Sequence, residues 1–265
     1  MWFSATAILG LCGAVLADCG TSPPSEYGIS VHREFATQNT TDFEKRKTAI
    51  QIEVYVHVIL NGTEDDALYT ETLRQIDMLN YVFHETEFEF TLVDFDTPII
   101  PNPGPIWVGT EGDTTIKQYR IGGAQALNLY IVHEVAEGYA AYATFPWEYA
   151  ENPQLDGIVV QRPNIPGGSD EGLNTGKKAG HEAGHWLGLL HTFEGGCDGD
   201  GDLVADTPAE GLMAEGCPEG RDTCAGGGTD PVHNYMDYTN DACQTEFTQG
   251  QIARMGQVWR QFRGG

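Results

Sequence analysis

The chain has 265 residues, with 14 Lys and Arg against 39 Asp and Glu, a formal charge of −25 at pH 7. That length buries a substantial core, and 40% hydrophobic with 20% charged residues is a globular composition, not a disordered one. The charge argues against nucleic acid, whose phosphates need cationic partners, and against an anionic membrane surface; solubility, cationic partners and bound metal ions are left.

Residues 1–17 are uncharged and mostly apolar and end in Val15-Leu16-Ala17, the pattern of a secretory signal peptide. Gly, Ser and Thr interrupt the run, which is short for a membrane span, so a secreted chain without a membrane anchor is expected. Residues 18–47 are polar, carry Pro23-Pro24 and show little periodicity, as a propeptide or extended N-terminal arm would. They close on Glu44-Lys45-Arg46-Lys47, the only basic cluster, read as a dibasic processing site at Lys45-Arg46 or as a solvated turn. Asn39-Thr-Thr and Asn61-Gly-Thr are glycosylation acceptors.

From Ile50 to Leu60 apolar residues alternate, which predicts a half-buried strand ended by Asn61-Gly62. Leu68 to Phe83 has helical spacing, and Phe88 to Phe95 alternates again. A Pro-rich loop, 98–105, leads to strands at Leu127–Val132 and Gly157–Val160. A second helix is predicted over Lys177–Leu190. Gly, Asp and Cys then dominate to about residue 230, and a last helix runs from Phe247 to Phe262 with Thr248 as its N-cap. The order of elements makes a mixed α/β layer followed by an irregular region.

Cys12 leaves with the signal peptide. Cys197, Cys217, Cys224 and Cys243 fall within 47 residues, which in a secreted chain suggests two disulfides; three pairings are open, and Cys19 is the odd thiol.

His181-Glu182-Ala183-Gly184-His185-Trp186-Leu187-Gly188-Leu189-Leu190-His191 reads H-E-x-x-H-x-x-G-x-x-H. On a helix, His181 and His185 point the same way and can hold one Zn²⁺. Gly188 can break the helix so that His191 supplies a third nitrogen, leaving a fourth position for water. Glu182 beside the metal is placed to act as general base. His32, His57, His84, His133 and His233 lack such context and are expected to be structural or on the surface.

The extended motif is the metzincin signature. Asn234-Tyr235-Met236-Asp237-Tyr238 resembles the methionine turn of these peptidases, with Met236 as an apolar floor under the imidazoles and Tyr238 beside the metal or the reaction's oxyanion. Further matches lie in Gly138-Tyr139-Ala140, Phe145-Pro146, the stretch His181–Phe193, Gly196-Cys197, Val204-Ala205-Asp206-Thr207-Pro208, Phe247-Thr248 and Arg254-Met255. Together they resemble the pappalysins, in particular the small secreted fungal and microbial members, over about residues 48–262.

The resemblance implies an α/β (α+β) metzincin-like fold over residues 48–265. A twisted mixed sheet with two helices would form an N-terminal subdomain to about 191. An irregular, disulfide-bonded C-terminal subdomain, 192–265, would end in a helix, with the cleft between the two. It also implies the pairings Cys197–Cys224 and Cys217–Cys243. It further implies a calcium site in the acidic loop 198–207, with Asp202, Val204 and Thr207 as ligands. Cys19-Gly20 resembles the segment that caps zinc in some pappalysin zymogens, although no Arg precedes Cys19 here.

The expected activity is that of a monomeric, secreted endopeptidase with one zinc per chain, acting on protein or peptide substrates that pair with a strand edge around Leu129–Phe145. Some family members prefer basic residues beyond the scissile bond, and an acidic pocket here would act alike. The rival reading is a catalytically silent, secreted metal-binding module of the same fold; Glu182 speaks against it.

Overall fold

The computed structural model describes residues 19–37, 49–62 and 68–264; the expected signal peptide, Asn39 and the Lys45-Arg46 site lie outside them. In chain order come α1 (Glu26–Ala36), β1 (Ile50–Val58), α2 (Leu68–Val82), β2 (Phe88–Asp96), α3 (Glu111–Lys117), β3 (Leu127–Val132), β4 (Ala141–Ala143), β5 (Ile158–Gln161), α4 (Lys177–Trp186) and α5 (Gln249–Phe262). The strands form one sheet in the order β2-β1-β3-β5-β4, parallel except for β4, which pairs antiparallel to β5 at the edge.

The alternation in β1 works as the sequence predicts. Ile52, Val54, Val56 and Val58 point into the main core while Gln51 and Glu53 are exposed. Further along, the second face is covered too. Tyr130, Val132, Tyr142 and Val159 pack against Ile106 and Ile116, the latter on the short helix α3. On the first face α2, α4 and α5 contribute Leu79, Ala183, Trp186, Met255 and Trp259 to a single cluster with the sheet. α4 thus lies directly on the sheet, and its position follows from packing on strands β4 and β5.

Two sequence expectations need correction. The arm is not wholly extended: Ser25 caps α1 by accepting from the Gly28 amide, and Val31 and Phe35, four residues apart, pack on Val258 and Phe262 of α5. Few large apolar residues mark this stripe, so its helical period is faint. α4 ends at Trp186 rather than at Leu190, because Gly188 takes φ +93° and turns the chain. From there to α5 the chain is irregular. Cys197 is bonded to Cys224 and Cys217 to Cys243, while Cys19 is free and buried. No helix among the described residues is long and apolar enough to cross a membrane.

Candidate metal centre

Helix α4 carries His181 and His185 one turn apart, and the turn at Gly188 returns the chain so that His191 joins them. His185 Nε2 stands 3.1 Å from His181 Nε2 and 3.0 Å from His191 Nε2. His181 Nδ1 lies 2.7 Å from the Tyr235 carbonyl and His185 Nδ1 lies 2.8 Å from the Leu189 carbonyl. A carbonyl only accepts, so each Nδ1 must carry the proton, and in neutral rings the two Nε2 atoms face one another as lone pairs. Such an arrangement repels itself unless a cation lies between the nitrogens. Burial favours the neutral form: it lowers His185 to about 4 and holds His181 and His191 well below the usual range, where neighbouring positive charge adds to the effect. Three neutral imidazoles, two of them with carbonyl-fixed tautomers, are a donor set that fits Zn²⁺.

Beneath the rings lies Met236, fully buried. A Cβ on Gly184 would stand 2.5 Å from Met236 Sδ, so α4 rests on this methionine at a distance that only glycine allows. Tyr238 follows two residues later, and its hydroxyl is 3.1 Å from His191 Nε2. The stacked ring of Phe193, 4.8 Å away, flanks His191 on another side.

Glu182 is wholly buried, and burial pushes its carboxyl up to about 7, although the Cys19 thiol, the Thr21 hydroxyl and the Lys178 charge oppose this. The Thr21 hydroxyl donates to Glu182 Oε2 at 2.8 Å and accepts the Ala143 amide at 2.8 Å. Cys19 Sγ and the three histidine nitrogens all lie within 4.8 Å of one another. The segment 19–21 runs parallel to the edge strand β4: Cys19 bridges Ala141, and the Gly20 amide donates to the Ala141 carbonyl at 2.7 Å. Trp107 Nε1 donates to the Gly20 carbonyl at 2.8 Å, and a Cβ on Gly20 would meet the Tyr139 ring at 2.9 Å. The Tyr238 hydroxyl donates to the Cys19 carbonyl at 3.3 Å.

The predicted constellation therefore converges, together with Cys19 from a part of the chain more than 160 residues away. Sequence reading placed Thr21 beside Cys19 without a role of its own, and it missed Trp107, a single residue in no motif, and Lys178, which sits among the site's groups. Of the other histidines, His57 is buried between Asp96 and Asn128, His32 is buried against Arg254, and His84 and His133 are exposed.

The acidic loop lies apart from the histidines. Asp202 is 3% exposed, its Oδ1 accepts the Val204 amide at 2.9 Å, and burial pushes it up to about 7. Asp202 Oδ2 and Thr207 Oγ1 are buried oxygens, and the Thr207 hydroxyl opposes the rise of the Asp202 carboxyl. Asp206 turns the other way, accepting from Thr248 Oγ1 and the Gly250 amide at the start of α5, 2.8 Å each. Asn61 is exposed.

Comparison with known proteins gives consistent results. A profile of peptidase family M43, described as pregnancy-associated plasma protein-A, matches residues 110–260. The chain is 38% identical over 254 residues to Extracellular metalloprotease 1 of Coccidioides posadasii and 40% identical over 259 residues to the extracellular metalloprotease of Pyricularia oryzae, in each case covering 93% of this chain and 90% of the relative. Among solved structures, mature mirolysin of Tannerella forsythia in complex with a cleaved peptide superposes with a TM-score of 0.69 at 28% identity, over 81% of this chain and 93% of that one. A mutant of promirolysin from the same organism gives 0.72 at 27% identity, over 90% and 89%.

Proposed function

Because the chain belongs to peptidase family M43, described as pregnancy-associated plasma protein-A, and is therefore a metalloendopeptidase, we propose that it is a secreted zinc enzyme held latent by its own N-terminal arm. The observation that carries the zinc assignment is the convergence of the Nε2 atoms of His181, His185 and His191 with two tautomers fixed by carbonyls. Relatives named as extracellular metalloproteases, together with the apolar first 17 residues, support secretion.

When bound, zinc supplies Lewis-acid polarisation of water and of the substrate carbonyl. The remaining work belongs to the chain. Glu182, buried and close to neutrality, takes the proton of the attacking water at a carboxylate oxygen and delivers it to the leaving amine. The Tyr238 hydroxyl, within reach of the third histidine, donates to the oxygen that gains negative charge. Met236 sets the floor that keeps the imidazoles in place. The edge strand β4 pairs with an extended substrate in the place that residues 19–21 fill here.

Latency follows from that occupancy. The Cys19 sulfur, within 4.8 Å of the three histidine nitrogens, would join them in holding the metal, and Thr21 holds Glu182 and the Ala143 amide at once. Processing between 37 and 49, where the Lys45-Arg46 pair lies, would release the arm. The calcium reading of the acidic loop rests on the neighbouring buried oxygens of Asp202 and Thr207, with the Val204 carbonyl as the third donor.

Zinc analysis and casein digestion by the mature protein test the mechanism. About one zinc per chain is expected, and Glu182→Ala should keep the metal and lose roughly 10²–10⁴ of the turnover. Undiminished digestion by that variant would sink it. A Cys19→Ser precursor should digest casein before processing; a silent one would remove the latency claim.

A further inference from the structure

Lys177 and Lys178 are neighbours on the first turn of α4, yet they meet different fates. Lys177 Nζ donates to the carbonyls of Asp241 and Gln244, both at 2.6 Å, and lies near the rings of Tyr81 and Tyr235. It is a fastener between the helix and the loop before α5. Lys178 is 5% exposed and makes no hydrogen bond or close ion pair among the described residues; the carboxylate that its charge acts on is Glu182, four residues on. Its one recorded contact is the face of the Tyr238 ring, 5.6 Å from Nζ.

Helical geometry places Lys178 three residues before His181 and four before Glu182, on their face of α4. Its charge acts on His181, Glu182 and His191, which fixes it at the metal centre and not on the outer surface. With Glu182 acting only at longer range and the Tyr238 ring offsetting part of the cost of burial, a carboxylate at hydrogen-bond distance would stabilise this ammonium further. Tyr238 touches both the third histidine and the Cys19 carbonyl, so the ammonium sits beside the path of the segment now docked on β4. Whatever replaces that segment brings its own groups to Lys178.

We propose that Lys178 is a specificity-determining residue that pairs with a carboxylate of the substrate adjacent to the scissile bond. This rests on the endopeptidase reading above and adds to it the chemistry of the preferred substrate. It also runs opposite to the basic preference that family analogy suggested. Long-range repulsion of acidic peptides by the chain's charge of −25 does not cancel it, since exposed charges are screened beyond about 8 Å at physiological salt while a half-desolvated pair is screened far less. The carboxylate can come from an Asp or Glu side chain or from the C-terminus of a peptide cut close to its end.

Matched peptides test this, carrying Glu, Gln or Lys at each position within three residues of one cleavable bond, each with a free and an amidated C-terminus. At one of those positions the mature wild-type protein should favour Glu over Gln by about tenfold in kcat/KM, the scale of one charge-assisted hydrogen bond. Lys178→Met should bring that ratio to about one, and Lys178→Glu should move the preference to Lys, a reversal that a merely structural role would not produce. If amidation abolishes the preference while an internal Glu does nothing, the partner is the terminal carboxylate; if amidation is without effect, it is the side chain. A wild-type Glu to Gln ratio of one, with amidation also without effect, overturns the proposal, as does a preference that Lys178→Met leaves intact. Equilibrium binding of the same peptides to the mature Glu182→Ala variant reads the pairing without turnover. It keeps this inference apart from the endopeptidase reading: a chain that cuts nothing refutes that reading, whereas equal binding of the Glu and Gln peptides, free and amidated, refutes this one.

Discussion

The helix α4 and the N-terminal arm meet at the same histidines, but they are held by different forces. α4 is fixed by apolar packing: Ala179, Ala183, Trp186 and Leu187 are all inside the core, between α2 and the sheet. The arm is fixed mostly by polar contacts at scattered points: Trp107 to Gly20, Thr21 to Glu182, His32 to Arg254 and Arg33 to Asp200. Among the described residues its apolar anchors are two small clusters, Val31 and Phe35 on α5 and Ile29 beside Phe145, Trp147 and Leu190. Packing of the first kind is lost only on unfolding. Contacts of the second kind can be given up one at a time while the body stays folded. On the latency proposed above, the segment that would leave and the helix that would stay are built from different interactions.

The harshest way to break that contrast is to damage the body. Trp186→Ala removes a fully buried ring and should cost about 3–5 kcal/mol, in precursor and mature protein alike, as urea unfolding of both would read. If only the precursor weakened, the distinction between arm and body would be wrong.

A gentler probe is pH. His32 sits on the arm helix, buried against the Arg254 guanidinium of α5, with the Trp147 ring at its edge and the Gly188 backbone nearby. Burial first, and then the Arg254 charge, lower it to about 3. A free histidine titrates near 6.5, so the docked arm binds fewer protons than the released one, and docking is at full strength above that pH and is lost progressively as the pH falls toward 3. Between pH 7.5 and 5 the loss amounts to about 30-fold. The rate at which a thiol reagent labels Cys19, divided by that of the His32→Gln precursor, should rise by that factor, and a flat ratio would remove His32 from the docking balance.

Thr21→Val sharpens the comparison further. It leaves the buried Glu182 carboxylate and the Ala143 amide without their shared hydroxyl, a penalty of about 1–3 kcal/mol for each unpaired group. Casein digestion by the precursor should rise about tenfold or more, with Cys19 still present, whereas the mature enzyme, which no longer holds residue 21, should not change. An equally silent Thr21→Val precursor would remove the Thr21 hydroxyl from the arm's restraints.

The same division explains what could be read in the sequence. His181, Glu182, His185 and His191 were legible because a helix converts spacing directly into direction, and β1 because a strand does so with period two. Met236 was legible only beside that motif. Of the arm, Cys19-Gly20-Thr21 was legible by resemblance, but its other partners were not: Trp107 and Arg254 act across 87 and 222 residues, and no local pattern encodes such pairs. Its helix α1 was hidden because two apolar residues at i and i+4 suffice when the rest of the face meets polar groups. Lys177 and Lys178 look identical in sequence; only their surroundings separate a fastener on two backbone carbonyls from a charge set against the Tyr238 ring and Glu182.

The smallest expected effect lies in the acidic loop, which serves both regions at once. Asp200 reaches the arm through Arg33, an exposed pair at 3.4 Å that solvent and salt weaken. Asp206 reaches the body. Its carboxylate accepts from Thr248 and from the Gly250 amide, adding to the capping box that Thr248 forms with Gln251. Removing that carboxylate leaves the first turn of α5 with one fewer acceptor, a loss of about 1 kcal/mol. In a chain of this size that corresponds to roughly 2–4 °C in Tm. Because α5 belongs to the body, Asp206→Ala should shift the melting of precursor and mature protein by the same amount. Asp200→Ala should leave the mature protein's melting unchanged. A shift confined to the precursor in Asp206→Ala would mean that α5 is held by the arm and not by its own cap.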